Sequence, residues 1–308
     1  MRSSRLRLVL GLVGLLIVVF AARSLVRNWE ELRSQPLEWR LEPGWLVLSA
    51  LTVWSMYAVL IAAWRAVLVG WGQRLDGWTA GGIWTVSSLG KYIPGKVWAV
   101  AGMALLAQRA GVPPWAATGS AVVMQGLAIG TGAAVAGLTG SEAIEAAHPG
   151  ARVVLVLLVL GAIAGTALLL WPPFLRRLLH LLAPDAEARG APAAAGIAFG
   201  IAANVAAWLG YGAALWMLAR GLLPGAGLQP LLAVSAFTAS YLAGFLALLA
   251  PGGLGVREAL FIIMLQGPLG IGAATALAVA SRLLLTVTEF GAAVPFLVFS
   301  RWRARVAP

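Results

Sequence analysis

The sequence predicts an all-α polytopic membrane protein, and three observations carry the prediction. Of 308 residues, 61% are hydrophobic and only 11% charged, with a mean hydropathy of +0.90, an apolar share beyond that of soluble domains. Apolar runs of the roughly 20 residues needed to cross a hydrocarbon core of about 30 Å recur from near the N-terminus to Phe299. These runs lack the alternation of a transmembrane β-barrel; "ARVVLVLLVLGAIAGTALLLW" (151–171) has none of it.

Taken in chain order, six continuous spans are expected at 6–22, 44–69, 115–139, 151–171, 194–219 and 271–299. The first follows Arg2, Arg5 and Arg7. Its apolar core is longer than that of a signal peptide, so it reads as a retained span. Two further regions are broken. In 78–108, Pro94-Gly95 separates two halves of about a dozen residues, each reaching on the order of 20 Å and too short to span alone. In 229–266, Pro251, Gly252, Gly253 and Gly255 separate a second pair of apolar helices. Proline gives up a ladder hydrogen bond and clustered glycines favour non-helical backbone, so helix-loop-helix is expected at both places.

Charge decides how the broken regions are threaded. The formal net charge is +11, but the cations sit mostly in short loops and tails, which marks topology rather than a nucleic-acid surface. With both broken regions as re-entrant hairpins and the N-terminus inside, three arginine groups share the cytoplasmic side: Arg65, Arg74 and Arg109, then Arg176, Arg177 and Arg189, then Arg301, Arg303 and Arg305. The loop carrying Glu142 and Glu145 falls outside. Counting the broken regions as single spans would put Arg176 and Arg177 outside, against the positive-inside tendency. The expectation is therefore about six full transmembrane helices plus two hairpins in the cell membrane, with both termini cytoplasmic. Tryptophans 45, 71, 115, 171 and 302, near predicted span ends, fit an interfacial belt.

Sliding the chain by 157 residues superposes Pro94-Gly95 on Pro251-Gly252 and Ala116-Ala117-Thr118 on Ala273-Ala274-Thr275. Within one domain, 1–308, this predicts two units, about 78–139 and 229–299, of opposite orientation. Inverted repeats in transporters place the substrate site between the units, near the bilayer midplane.

Few residues can carry chemistry. There is no cysteine, and the two histidines, His148 and His180, fall in predicted loops, so no metal and no cofactor are expected. "PGGLG" lacks both the dinucleotide and the Walker pattern. The ionisable groups placed within the membrane are Lys91, Lys96, Arg257, Arg282, Glu258 and Glu289. Each costs roughly 2.5–3.5 kcal/mol at a helix centre, so they must pair or line a wet cavity. Lys91 and Lys96 are the only lysines, against twenty arginines.

Two loop tips meeting inside the bundle would bring Lys91, Lys96 and Arg257 to the phosphate of a lipid, beside helix N-termini that attract anions. Glu258, Arg282 and Glu289 would then set the local charge. The competing readings are lysines snorkelling to the interface, Arg257-Glu258 as a local ion pair, and Arg282 with Glu289, seven residues apart beside Thr286, as a structural network. Asn204, Trp208 and Tyr211 share a helical face, as the lining of a lipid path or as interhelical hydrogen bonding. Gln125 occupies the repeat position of Arg282, with packing as its plainer role.

"GKYIPGKVW" (90–98) and "APGGLGVREA" (250–259) resemble the two signatures of the flippase-like transmembrane domain of lysylphosphatidylglycerol synthases. The resemblance covers nearly the whole chain. It implies a lipid-translocating domain, which in the fused proteins moves aminoacylated phosphatidylglycerol to the outer leaflet. Many relatives carry a Glu-Arg pair where this chain has Gln125-Gly126, which leaves a charged role there in doubt. The soluble aminoacyl-transferase domain does not precede Pro308, so synthesis of lysyl-phosphatidylglycerol is not expected.

The expected function is thus a flippase or lipid-binding transporter, not an enzyme. Its cargo would be a phosphate-bearing lipid: an anionic or aminoacylated phospholipid, or a polyprenyl-phosphate-linked glycan. The alternatives are an intramembrane lipid phosphatase or glycosyltransferase using Glu258 or Glu289, and a non-transporting accessory protein. Expected partners are membrane lipids and a glycosyltransferase or lipid synthase, with no nucleic acid.

Overall fold

A computed structural model describes residues 40–93, 97–147, 151–182, 192–247 and 251–306. Ten α-helices and no strand occur among them: α1 (Pro43–Gly70), α2 (Gly77–Ser88), α3 (Val97–Arg109), α4 (Pro114–Ala147), α5 (Ala151–Leu170), α6 (Pro172–Leu182), α7 (Ala194–Leu222), α8 (Pro230–Leu246), α9 (Val256–Leu269) and α10 (Ile271–Val306). Four are long and apolar enough to cross a membrane: α1, α7, and the stretches Pro114–Gly140 of α4 and Ile271–Val298 of α10. They correspond to four of the six expected spans. The expected span 151–171 is α5, whose Val159–Leu170 bends by 76° into Pro172–Leu178 of α6; the two pass the same test only together. The span 6–22 and the N-terminus lie outside the described residues, as does His148.

Two expectations are corrected. His180 is helical, on α6. The segment "PPFLRRLLHLL" starts with two prolines suited to a first turn. It buries Leu175 and exposes Arg176, Arg177, His180 and Leu181. Trp71 and Trp115 do not belong to an interfacial belt. Both are buried, and their rings meet edge to face at 5.7 Å, because the α1–α2 and α3–α4 turns pack on each other. Trp171 remains exposed, as a belt residue should be.

Helix association in lipid relies on close approach of small residues and on interhelical hydrogen bonds. α7 shows both. A Cβ at Gly196 would come within 2.7 Å of the Ala66 carbonyl oxygen on α1, and one at Gly212 within 2.3 Å of the Val234 Cα on α8. Ser49 donates to the Ala214 carbonyl at 2.7 Å, and Trp64 Nε1 to Ser120 Oγ at 2.9 Å. The buried apolar residues form two main clusters. One joins α8, α9 and α10 to the C-terminal half of α7; the other joins α2, α3 and α4 to Ala63–Leu68 of α1.

Both broken regions fold back as helical hairpins. α2 ends in a 3-10 turn, Leu89–Tyr92, and α3 returns alongside it. Gly90 faces the backbone of Trp98 and Ala99, so that any Cβ would stand 2.8 Å from it. α8 returns as α9 through the 3-10 turn Pro251–Gly253, where Gly252, Gly253 and Gly255 all take positive φ, as the glycine cluster predicts. Gly253 lies so near Gly244 that a Cβ there would be 2.7 Å from the Gly244 Cα. A third small cluster, Leu89, Tyr92 and Ala293 with Leu254 and Phe290, joins the two tips to α10.

Candidate functional site

The tips of the two hairpins meet. The Tyr92 ring lies against Gly252, where the absence of a side chain lets the tips touch. Pro94, Gly95 and Lys96 lie outside the described residues. Lys91, Arg257, Glu258, Arg282 and Glu289 all converge on this junction.

α10 organises the charges. Arg282 and Glu289 are two turns apart on one face, about 10 Å along the axis, and each serves a different tip. Lys91, from the first tip, forms an ion pair with Glu289. The Tyr92 hydroxyl donates to the other oxygen of that carboxylate at 2.7 Å. Arg282 pairs with Glu258 at the start of α9 and donates to the Gly252 carbonyl at 3.0 Å. Glu258 also accepts the Gly255 N–H at 2.7 Å, so it caps α9 while holding Arg282. Thr286, between the two ionic residues, donates to the Arg282 carbonyl at 2.9 Å and lies 3.3 Å from the Tyr92 hydroxyl.

Arg257 is differently placed. Successive helical side chains point about 100° apart, so Arg257 cannot share the position of Glu258, and the two form no ion pair. Arg257 donates instead to Ser281 Oγ at 3.0 Å. Its guanidinium lies over the rings of Phe237 and Tyr241, at 5.4 and 5.5 Å. It is buried, and the described residues give it no carboxylate partner. Among the described residues, three cations therefore meet two carboxylates, leaving one positive charge in surplus.

These groups line a cavity of two lobes. The smaller, about 60 Å³, is bounded by Arg257, Arg282, Tyr92, Thr286 and the Gly252-Gly253 backbone. The larger, about 210 Å³, is bounded by Trp84, Trp208, Tyr57, Tyr211, Asn204 and Glu289 among others. Lys91, Gln125 and Tyr241 border both. Asn204, Trp208 and Tyr211 all line the large lobe; of the three, Trp208 makes an interhelical hydrogen bond, from Nε1 to the Ala128 carbonyl of α4 at 3.1 Å, while Asn204 donates to Gly200 within its own helix at 2.8 Å.

Sequence reasoning missed Ser281, Phe237 and three of the four tyrosines. A signal was available. The chain has fourteen tryptophans but only four tyrosines, and Tyr57, Tyr92, Tyr211 and Tyr241 all line the cavity.

Residues 6–288 match the family described as the lysylphosphatidylglycerol synthase TM region. No curated protein matches the chain.

Proposed function

Since this chain belongs to the lysylphosphatidylglycerol synthase TM-region family and is a multi-pass membrane protein of lipid metabolism, we propose that it binds a phosphate-bearing lipid between the hairpin tips and moves it across the bilayer. One observation carries the reading: the surplus charge of Arg257 faces a small lobe, also lined by Arg282 and Thr286, that adjoins a larger one, both with mainly apolar walls. A buried guanidinium without a carboxylate is expensive in lipid. A phosphate, which guanidinium groups recognise by paired hydrogen bonds, would neutralise it while the acyl chains stay in the membrane.

In this reading the hairpins are re-entrant, six spans cross the membrane, and the two units are related by an inverted repeat. Support comes from repeat-related positions with equal burial: Ala116, Ala117 and Ala121 on α4 match Ala273, Ala274 and Ala278 on α10, all six buried. The termini then face the cytoplasm. Both carboxylates that a hydrolytic enzyme would need, Glu258 and Glu289, are held by cations, which favours a binding role over an acid-base one.

The test is leaflet exposure of fluorescent phosphatidylglycerol in proteoliposomes, read with a membrane-impermeant quencher. Wild-type protein equilibrates the label between leaflets, and Arg257→Gln slows it about tenfold or more, the worth of a charge-assisted hydrogen bond. Equal rates for the two proteins would remove Arg257 from the site.

A further inference from the structure

We infer that the large lobe selects a neutral polyhydroxyl headgroup attached to the phosphate, such as a sugar or cyclic polyol, and rejects a cationic, aminoacylated one. The inference rests on the binding reading above and names the substrate class for that same site.

Three observations lead there. The first is the set of free hydrogen-bonding groups. Tyr211 and Tyr241 direct rings into the lobe, and the described residues offer their hydroxyls no hydrogen-bond partner; the Gln125 amide is equally unpartnered at the border of the two lobes. Each phenol can donate and accept, and the amide offers two donors and two acceptor positions. Such a mixture answers an array of hydroxyls. A site built to hydrogen-bond a hydroxyl also discriminates strongly against an analogue lacking it.

The second observation concerns where a positive headgroup could go. A cation would seek a carboxylate first, and both carboxylates described at the tips are taken. Glu289 holds Lys91 and the Tyr92 hydroxyl, while Glu258 holds Arg282 and the Gly255 N–H. Lys91 lies over the rings of Tyr92 and Tyr241, at 5.4 and 5.6 Å, and Arg257 over Phe237 and Tyr241. An aminoacyl ammonium entering the large lobe would meet Lys91 as a like charge with no unpaired carboxylate among the described lining residues, only ring faces such as those of Trp84 and Trp208. Like-charge juxtaposition of this kind is how sites reject the wrong ligand.

The third observation is size. The large lobe, about 210 Å³, far exceeds the small one, so the bulkier ring belongs there. The small lobe, about 60 Å³ and bordered by Arg257 and Arg282, suits the phosphate. Trp84, Trp208 and the tyrosines supply flat apolar walls, against which the C–H faces of a sugar ring can pack while its hydroxyls reach the phenols and the amide.

The experiment is competitive lipid retention by the purified full chain, read by native mass spectrometry. The probes, at equal concentration, are phosphatidic acid, phosphatidylinositol, a polyprenyl-phospho-hexose and lysyl-phosphatidylglycerol. The expected order places phosphatidylinositol or the phospho-hexose about fivefold above phosphatidic acid and about tenfold above the lysyl lipid. The two polyhydroxyl probes separate a diacylglycerol anchor from a polyprenyl one. Tyr211→Phe and Gln125→Leu, tested singly because each keeps the volume nearly constant, should each cut the preference over phosphatidic acid about threefold.

Lysyl-phosphatidylglycerol retained as well as the polyhydroxyl lipids would overturn the inference, as would an unchanged preference in both variants, with phosphate binding still standing. Retention of no phosphate lipid in an Arg257-dependent way would instead take down the binding reading on which the inference rests.

Discussion

Among the described residues of the first hairpin tip, Lys91 meets Glu289, one cation for one carboxylate, and its side chain stays 26% exposed. At the second, Arg257 and Arg282 stand beside a single carboxylate, Glu258, and both are buried. Among the described residues the first tip is electrically balanced and its lysine partly open, so its pair can rearrange at moderate cost. The second is closed over by its own backbone: Arg282 holds the Gly252 carbonyl, Glu258 caps α9, and three glycines at positive φ fix the turn. What differs between them is the role each can take. A surplus charge can persist only where the surrounding structure is over-determined, and that is the second tip.

Unbalancing the second tip gives the largest effect. Glu258→Ala leaves Arg282 buried without its carboxylate and uncaps α9. A loss of about 3–5 kcal/mol is expected, measured as thermal or denaturant unfolding of the detergent-solubilised protein. A loss near zero would mean that the second tip is not the rigid one.

The first tip should respond more mildly. Lys91→Met strands Glu289 next to Tyr92, at a cost of roughly 1–2 kcal/mol, between the values for exposed and buried pairs. Adding Glu289→Gln removes the stranded charge and should recover at least half of that loss. A double variant less stable than Lys91→Met would show that Glu289 does more than balance Lys91.

The smallest effect compares the two helix starts. α2 is capped by Asp76, whose side chain accepts the Thr79 N–H at 3.0 Å, whereas α9 is capped by the partly buried Glu258. The Thr79 side-chain hydrogen bond, then the backbone one, hold the fully exposed Asp76 carboxyl below its usual range. A carboxyl depressed in the folded state adds stability above its unfolded value and loses it as pH falls through the folded one. Asp76→Asn should therefore lower stability slightly at neutral pH and match wild type once the carboxyl is protonated. An equal deficit at both pH values would count against the carboxylate as the source.

Much of the site could be read in the sequence, because charge inside apolar sequence is too costly to be incidental. Lys91, Arg257, Glu258, Arg282 and Glu289 were identifiable on that ground, and Pro251 with its glycines marked the second tip. Pairing was not legible. Neighbours along the chain suggested Arg257 with Glu258 and Arg282 with Glu289, yet each partner comes from another element, since helical rotation separates adjacent residues and the tips supply the nearest opposite charges. Most of the tyrosines escaped for a related reason: a tyrosine in a span costs little by itself, so Tyr57 and Tyr241 matter only through where the fold brings them together, whereas Tyr211 stood out by sharing a helical face with Asn204 and Trp208. Trp71 and Trp115 show the same limit, since a tryptophan near a span end reads as interfacial until another helix end is found packed on it.

The central claim is that Arg257 supplies the free positive charge of an anion site between the tips. Calorimetric titration of the detergent-solubilised chain with short-chain phosphatidic acid tests it most directly, with Arg257→Gln set against Arg220→Gln, whose guanidinium lies over Trp45 and Trp216 instead. The expected result is one saturable site in wild type, weakened about tenfold or more by Arg257→Gln and left alone by Arg220→Gln. Equal binding by all three proteins, or no saturable binding by any, would contradict the account.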